Sequence, residues 1–209
     1  MRQKAGEYIV IVFYLIMGGF CGLVLAKYME LFLDKDNPLW MRLVMLGILF
    51  AEVYVAVVLQ LIFHEVGHLV FGLMSGYNFS SFRIGSFMWA MEADGVRFRR
   101  LTVVGTGGQC LMSPPDMKDG KIPVIMYNLG GSLFNLFTAG LFLWFSILLA
   151  KFPLVAAGFT FLAIIGFAFA LINGVPMRVG MIDNDGYNAW LLARDKKAMR
   201  SFWLQLKIN

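Results

Sequence analysis

An almost uninterrupted apolar stretch at positions 39–74 constrains the fold of this chain more than any other feature. As one helix it would be more than about 50 Å long, whereas the hydrocarbon core of a bilayer is about 30 Å thick. Such a helix must be tilted, broken or interfacial at one end. A soluble domain would contain roughly 25% charged residues, but this chain has 15%, beside 59% hydrophobic residues. The sequence therefore predicts a polytopic membrane protein.

Four apolar segments are predicted to be membrane-spanning helices, at positions 8–32, 39–74, 122–150 and 154–173. A further helix at 185–206 contains too many charges to span and is predicted to lie at the membrane interface. Within residues 77–121, two aromatic-rich stretches of alternating polarity flank Ala93-Asp94-Gly95. This pattern predicts a β-hairpin over 79–104, followed by an irregular loop over 105–115. The expected fold is an all-α polytopic bundle with this small hairpin, in one membrane-embedded domain of residues 1–209.

The basic residues predict the orientation of the chain in the membrane. Four of them fall in the segments that would face one side: Lys27, Lys35, Arg42 and Lys151. All other basic residues fall on the side of the two termini, so the positive-inside rule places both termini in the cytoplasm, for example at the cell membrane. The hairpin and the end of the second helix then face the cytoplasm as well. The net charge of +5 is explained by topology and predicts no nucleic-acid partner.

The second apolar segment contains both histidines of the chain, in the sequence His64-Glu65-Val-Gly-His68. On a helix, two residues four apart share one face, so both imidazoles can reach one ion. The glutamate between them can take a proton from a bound water. The alternative is hydrogen bonding between helices or a chance match. Two histidines and a glutamate are costly inside a membrane, and the apolar flanks favour a zinc site.

A catalytic zinc site needs a third protein ligand and an open position for water. The chain has no third histidine, and Cys21 and Cys110 form no CxxC pair, so a carboxylate is expected. The candidates on the cytoplasmic side are Glu92, Asp94, Asp116, Asp119, Asp183, Asp185 and Asp195. Asp185 is favoured because it follows a helix broken at Pro176 and begins the next helix, and Asp183 in the same loop is the alternative. An ordinary helix N-cap is the other role open to Asp185.

These motifs resemble those of the site-2 protease family of intramembrane zinc metalloproteases. The resemblance rests on the histidine motif, on Gly130-Gly-Ser-Leu-Phe-Asn135, and on Asn173-Gly-Val-Pro176 followed by Asn184-Asp-Gly186. Three departures are the Asn-Asp-Gly in place of the usual Leu-Asp-Gly, the longer spacing after Pro176, and the absence of a proline near Gly130. No PDZ-like insertion is seen, so the chain would be a minimal member of the family.

The resemblance implies a role for each matching residue. His64, His68 and Asp185 would bind zinc, Glu65 would activate water, and Asn135 would hold the substrate or the transition state. The implied activity is endoproteolysis of transmembrane segments or short hydrophobic peptides in or near the bilayer. The alternative is a membrane zinc protein without protease activity, such as a regulator or a transporter.

Three amides near the motifs have open roles. Asn135 either donates a hydrogen bond to the oxyanion or packs between helices beside small residues. Gln109 either contacts the substrate or caps a turn. Gln60 lies one turn before His64 and is a candidate for supporting the zinc ligands. The hairpin either pairs with an extended substrate or rests at the membrane interface.

Overall fold

The computed structural model describes residues 2–32, 36–103, 106–179 and 182–208. Its helices are α1 (Arg2–Phe32), α2 (Leu39–Met74), α3 (Val124–Leu148), α4 (Pro153–Gly174), α5 (Asp185–Arg194) and α6 (Lys196–Ile208). Its strands are β1 (Asn78–Ile84), β2 (Phe87–Glu92), β3 (Gly95–Arg100), β4 (Gly108–Ser113), β5 (Arg178–Val179) and β6 (Ile182–Asp183). The protein is therefore mostly helical, with a small amount of sheet.

Among the described residues, the helices α2, α3 and α4 are long and apolar enough to cross a membrane. The predicted segments 39–74, 122–150 and 154–173 correspond to these helices with ends shifted by two residues or fewer. The segment 8–32 lies in α1, which is helical throughout. Its membrane crossing, and hence a fourth span, stays a prediction.

The region between α2 and α3 forms a four-stranded antiparallel sheet in the order β3-β2-β1-β4. The hairpin predicted around Asp94 is present as β2 and β3, with Glu92 paired to Gly95 across the turn. The prediction of one hairpin and a loop is wrong in two places. A turn at Gly85, where φ is +57°, divides the first predicted strand into β1 and β2. The predicted loop 105–115 contains β4, while the hairpin end at Val104 and the loop start at Gly105 lie outside the described residues.

The C-terminal region also differs from the single helix predicted at 185–206. It forms α5 and α6, which are divided at Asp195. The carboxylate of Asp195 accepts hydrogen bonds from the backbone N–H groups of Lys197 and Ala198 and so forms the N-cap of α6. The loop after α4 contains the short ribbon β5–β6, and its positions 180–181 lie outside the described residues.

The chain divides into two compact units, of which the first comprises described residues of 1–60 and 136–168. Its core packs Leu49 and Ala56 of α2 against Ala157 and Phe161 of α4. Small residues at these positions allow helices to approach closely in a membrane. A group of three hydroxyls adds polar contacts, because Thr160 Oγ1 lies 2.8 Å from Tyr28 Oη and 2.6 Å from Ser146 Oγ.

The second unit comprises described residues of 61–135 and 169–209. Its core joins the sheet to α3, α5 and α6 through Tyr77, Met112, Tyr127, Leu192 and Met199. The rings of Tyr77 and Tyr127 stack with centroids 4.6 Å apart, and the hydroxyl of Tyr127 donates to the carbonyl of Cys110 in β4. Leu69 of α2 packs against this core, so the core fixes the sheet beside the helix that contains the histidine motif.

Candidate metal centre

Three side chains of the second unit converge on one point: His64 and His68 of α2 and Asp185 at the start of α5. The distances are 3.2 Å between the two histidine Nε2 atoms, 3.0 Å from His64 Nε2 to Asp185 Oδ2, and 3.3 Å from His68 Nε2 to Asp185 Oδ2. In a tetrahedral zinc site with bonds of about 2.0–2.1 Å, neighbouring ligand atoms lie about 3.3 Å apart. The triangle therefore has the dimensions of one face of such a site.

The second nitrogen of each imidazole is held by the protein. His64 Nδ1 lies 2.8 Å from the amide oxygen of Asn135, and His68 Nδ1 lies 2.8 Å from the backbone carbonyl of Tyr127. Both partners are acceptors, so each Nδ1 carries the proton and each Nε2 presents a lone pair to the shared point. Both histidines are buried, and Asn135 is fully buried. This is the hydrogen-bonding pattern expected of histidines that bind a metal.

Glycines of α3 create the space for the imidazoles. A methyl group at Gly131 would lie 2.5 Å from His64 Cε1 and 2.7 Å from His68 Nε2. In α2, directly before His68, a methyl group at Gly67 would collide with the carbonyl oxygen of Gly130. The backbones of α2 and α3 therefore approach each other at these positions, as small residues permit in membrane helices. The Gly130-Gly131 pair has a steric role at the site.

The position of Asp185 is determined by its neighbour Asn184. The amide oxygen of Asn184 accepts from the backbone N–H groups of Met177 and Tyr187, at 3.0 and 2.9 Å. Its amide nitrogen donates to the carbonyls of Ile172 and Val175, at 2.7 and 2.6 Å. Asn184 is thus the N-cap of α5 and also satisfies carbonyls at the end of α4. A leucine, usual in the family motif, could make none of these bonds.

Five of the six other candidate carboxylates are engaged elsewhere. Asp183 Oδ1 lies 3.0 Å from Arg178 Nε across the β5–β6 ribbon. Ion pairs join Glu92 to Arg99, Asp94 to Arg97 and Asp116 to Lys207, and Asp195 caps α6. Among the residues that the structure describes, the cluster with metal-binding geometry consists of His64, His68 and Asp185.

Glu65 is buried and lies against the first residue of β4. A methyl group at Gly108 would lie 2.6 Å from Glu65 Oε1, so glycine is the residue that fits there. The next residue, Gln109, has an exposed side chain and pairs with Arg83 of β1. The edge of the sheet formed by β4 therefore borders Glu65, and Gln109 lies on that edge.

Arg83 supports this edge and was not identified from the sequence. It is 2% exposed, and its guanidinium donates to the carbonyl of Gly85 at 2.6 Å and to the hydroxyl of Thr106. A longer contact of 3.5 Å reaches the carbonyl of Gly108. Arg83 thus ties the start of β4 to β1. No sequence pattern signals this role, because its acceptors are mostly backbone carbonyls.

The donor set fits zinc. Two neutral imidazole Nε2 atoms and one carboxylate oxygen are ligands that zinc takes in catalytic sites, with a fourth position left for water. Burial by itself would raise the pKa of Asp185, but its contacts with the imidazoles of His64 and His68 outweigh this effect, and the pKa lies below its ordinary value. The carboxylate is therefore ionised at neutral pH and available to a cation.

A family model places the chain among known proteins. The model of peptidase family M50 matches residues 52–169, more than half of the chain. The match begins within α2, includes the four-stranded sheet and α3, and ends within α4. No PDZ domain is found in the match. No curated protein and no solved structure matches the chain. The histidine motif and its surroundings thus have the family's pattern as well as the geometry of a metal centre, and the chain belongs to peptidase family M50, the site-2 protease family.

Proposed function

We propose that this multi-pass membrane protein is a zinc-dependent endopeptidase that cleaves transmembrane segments or short hydrophobic peptides in or near the bilayer. Membership of family M50 implies a membrane-embedded metalloprotease. The observation that supports zinc hydrolysis most directly is the convergence of His64, His68 and Asp185 at 3.0–3.3 Å, with Glu65 next to His64.

In the proposed reaction, His64 Nε2, His68 Nε2 and Asp185 Oδ2 hold the metal. Zinc, when bound, supplies a water of lowered pKa and polarises a peptide carbonyl. Glu65 accepts the proton of the attacking water and delivers it to the leaving amine nitrogen. Asn135 keeps His64 oriented through its hydrogen bond to Nδ1. The buried environment of Glu65 limits access of bulk water to the proton that it transfers.

The substrate would bind along β4. A peptide bond inside a helix is hydrogen-bonded and shielded, so a helical substrate must be extended before it is cleaved. The strand β4 is at one end of the sheet order and begins at Gly108 beside Glu65. An extended peptide added to this edge would be brought to the catalytic carboxylate by backbone hydrogen bonds, and Gln109 would contact it.

The orientation that we propose has both termini and the metal centre toward the cytoplasm, with α1 as a fourth span. The charge distribution supports it, because the segments on the side of the termini contain most of the basic residues. Cysteine accessibility in sealed cells, with single cysteines introduced at exposed positions of α6, would test the orientation.

The decisive experiment compares the wild-type protein with Glu65→Gln. Zinc content is measured on both purified proteins by inductively coupled plasma mass spectrometry, and membrane peptides are compared by mass spectrometry in cells that express either one. We expect zinc in both proteins and a loss of cleavage by about 10²–10⁴-fold in the variant, because a general base is removed while the ligands remain.

Two outcomes would contradict the proposal. A wild-type protein purified without chelators that contains no zinc would exclude zinc hydrolysis. Unchanged membrane peptides in the presence of full zinc occupancy in both proteins would favour a zinc regulator or transporter, whose activity does not need a general base.

A further inference from the structure

A cavity of about 420 Å³ lies in the second unit, away from the metal centre. Its walls come from the start of α3 and from the junction of α5 and α6. Apolar side chains form much of its surface, including the buried Leu192 and Met199 and the exposed Ile125 and Met126. None of its lining residues belongs to the predicted catalytic or metal-binding set.

The charged side chains that line this cavity are all basic. Lys121, Arg194 and Lys196 line it, and its lining contains no acidic residue. Within the ranges that the structure describes, none of the three forms an ion pair. One carboxylate oxygen of the neighbouring Asp195, Oδ1, accepts the N-cap hydrogen bonds of α6. The lining of the cavity therefore combines apolar surface with three cations that form no ion pair among the described residues.

The cavity lies where a spanning helix begins. Val124 is the first residue of α3, one of the candidate membrane spans, and the exposed Ile125 and Met126 follow it. Trp190 is 43% exposed, and the guanidinium of Arg194 lies 4.9 Å from its ring centroid. Tryptophan and arginine in such a position are typical of the level of the lipid headgroups. These features are those expected of a cavity at the boundary between hydrocarbon and water.

We propose that this cavity binds one anionic glycerophospholipid, with the phosphate among Lys121, Arg194 and Lys196 and an acyl chain along Ile125 and Met126. The charge complementarity and the apolar surface together select this occupant. A free inorganic anion would leave the apolar part in contact with water, and a neutral lipid would leave three cations unpaired. Basic pockets beside transmembrane helices are known to bind anionic headgroups.

The test is native mass spectrometry of the delipidated, detergent-solubilised protein, titrated with phosphatidylglycerol or with phosphatidylcholine of the same acyl chains. We expect one phosphatidylglycerol molecule to bind tightly and phosphatidylcholine to bind more weakly. The combined variant Lys121→Gln, Arg194→Gln and Lys196→Gln is expected to bind phosphatidylglycerol about tenfold more weakly or worse, since each cation contributes several-fold. The charge-retaining variant Lys121→Arg with Lys196→Arg is expected to bind as the wild type does.

The matched control removes the same charge from exposed positions that do not line the cavity: Lys118→Gln, Lys197→Gln and Arg200→Gln. Its affinity for phosphatidylglycerol is expected to stay within about twofold of the wild type. Equal losses in both triple variants would overturn the site, because they would reveal general surface attraction. Equal binding of the two lipids, or displacement of phosphatidylglycerol by equimolar inorganic phosphate, would overturn the assignment to an anionic lipid. This inference does not depend on peptidase activity.

Discussion

Two polar side chains of α2, Gln60 and His64, are buried four positions apart and have opposite surroundings. In the first unit, Gln60 Nε2 donates to the carbonyl of Leu162 at 2.8 Å, and the hydroxyl of Thr138 donates to Gln60 Oε1 at 3.3 Å. Donors there meet acceptors. In the second unit, His64 Nε2 faces His68 Nε2 and the ionised Asp185, so lone pairs meet lone pairs.

The difference separates a polar group that stabilises helix packing from one that can bind a metal ion. A buried polar group that completes its hydrogen bonds stabilises packing. Three electron-pair donors that lie 3.0–3.3 Å apart repel one another unless a proton or a metal cation lies among them. The arrangement around His64 is therefore suited to a bound cation, whereas the contacts of Gln60 with Leu162 and Thr138 pair donors with acceptors. A supporting role of Gln60 for the zinc ligands stays a prediction.

The comparison predicts the largest effect for Asp185→Ala. This change removes a ligand, so we expect zinc affinity to fall by more than about 100-fold, beyond the range for losing a supporting residue, and cleavage to fall with it. Asp183→Ala is the matched control, since Asp183 pairs with Arg178. Metal analysis after dialysis against a weak chelator measures both. Zinc loss in Asp183→Ala but not in Asp185→Ala would reverse the assignment of the third ligand.

Gly131→Ala is expected to have the next largest effect. Its methyl group would overlap both imidazoles, so His64 and His68 must move apart, and we expect zinc affinity to fall by about 10–100-fold. Gly140→Ala, in the same helix, is the control, because a methyl group there meets nothing within 4 Å. A competitive titration with a fluorescent zinc chelator measures the affinities. Wild-type affinity in Gly131→Ala would mean that the imidazoles are packed less closely than described.

Asn135→Ala tests whether this residue orients His64 or stabilises the oxyanion. Since its amide oxygen accepts from His64 Nδ1, we expect zinc affinity to fall by about tenfold or more. An oxyanion donor would instead leave zinc affinity unchanged and lower kcat alone. Zinc titration combined with kcat at saturating zinc distinguishes the two roles, and Asn135→Asp, which keeps the acceptor, is expected to restore zinc binding.

The smallest effect at the metal centre is expected for Gln60→Leu. The change leaves the carbonyl of Leu162 and the hydroxyl of Thr138 without these partners. Each hydrogen bond between membrane helices is worth about 1 kcal/mol, so the loss of both should lower the free energy of unfolding by about 2 kcal/mol. Denaturation in detergent measures it, and zinc affinity should be unchanged. A zinc affinity that fell with stability would show that the two surroundings are coupled.

The histidine motif was predictable because both ligands lie on one helix, where a spacing of four fixes a common face. The sequence favoured Asp185 as the third ligand but left Asp183 as an alternative. The loop that begins at Pro176 has no periodic pattern that would show which carboxylate faces the histidines. The ribbon β5–β6 and the cap at Asn184 decide which carboxylate reaches the histidines. A role for Asn135 followed from the family resemblance, but its contact with His64 Nδ1 depends on how α2 and α3 cross.

Other parts of the site have no sequence signature. Tyr127 holds His68 through its backbone carbonyl, a group that every residue has. The strand β4 was predicted as a loop because it is short, begins with glycine, is followed by prolines and contains no β-branched residue. Its pairing with β1 and the bonds from Arg83 supply the stability that its own propensity lacks. Tertiary contacts thus outweigh local preference at the strand beside Glu65.

The four hydrogen bonds of Asn184 also bear on how this family varies. They fasten both ends of the loop after α4, so the residues between can increase in number while Asp185 keeps its place. Doubling the length of such a loop costs only about 0.6 kcal/mol in closure entropy. A search that requires a fixed spacing between the helix break and the metal-binding aspartate will therefore overlook members of this kind. A search for a side chain that can fasten the loop, followed by Asp-Gly, would find them.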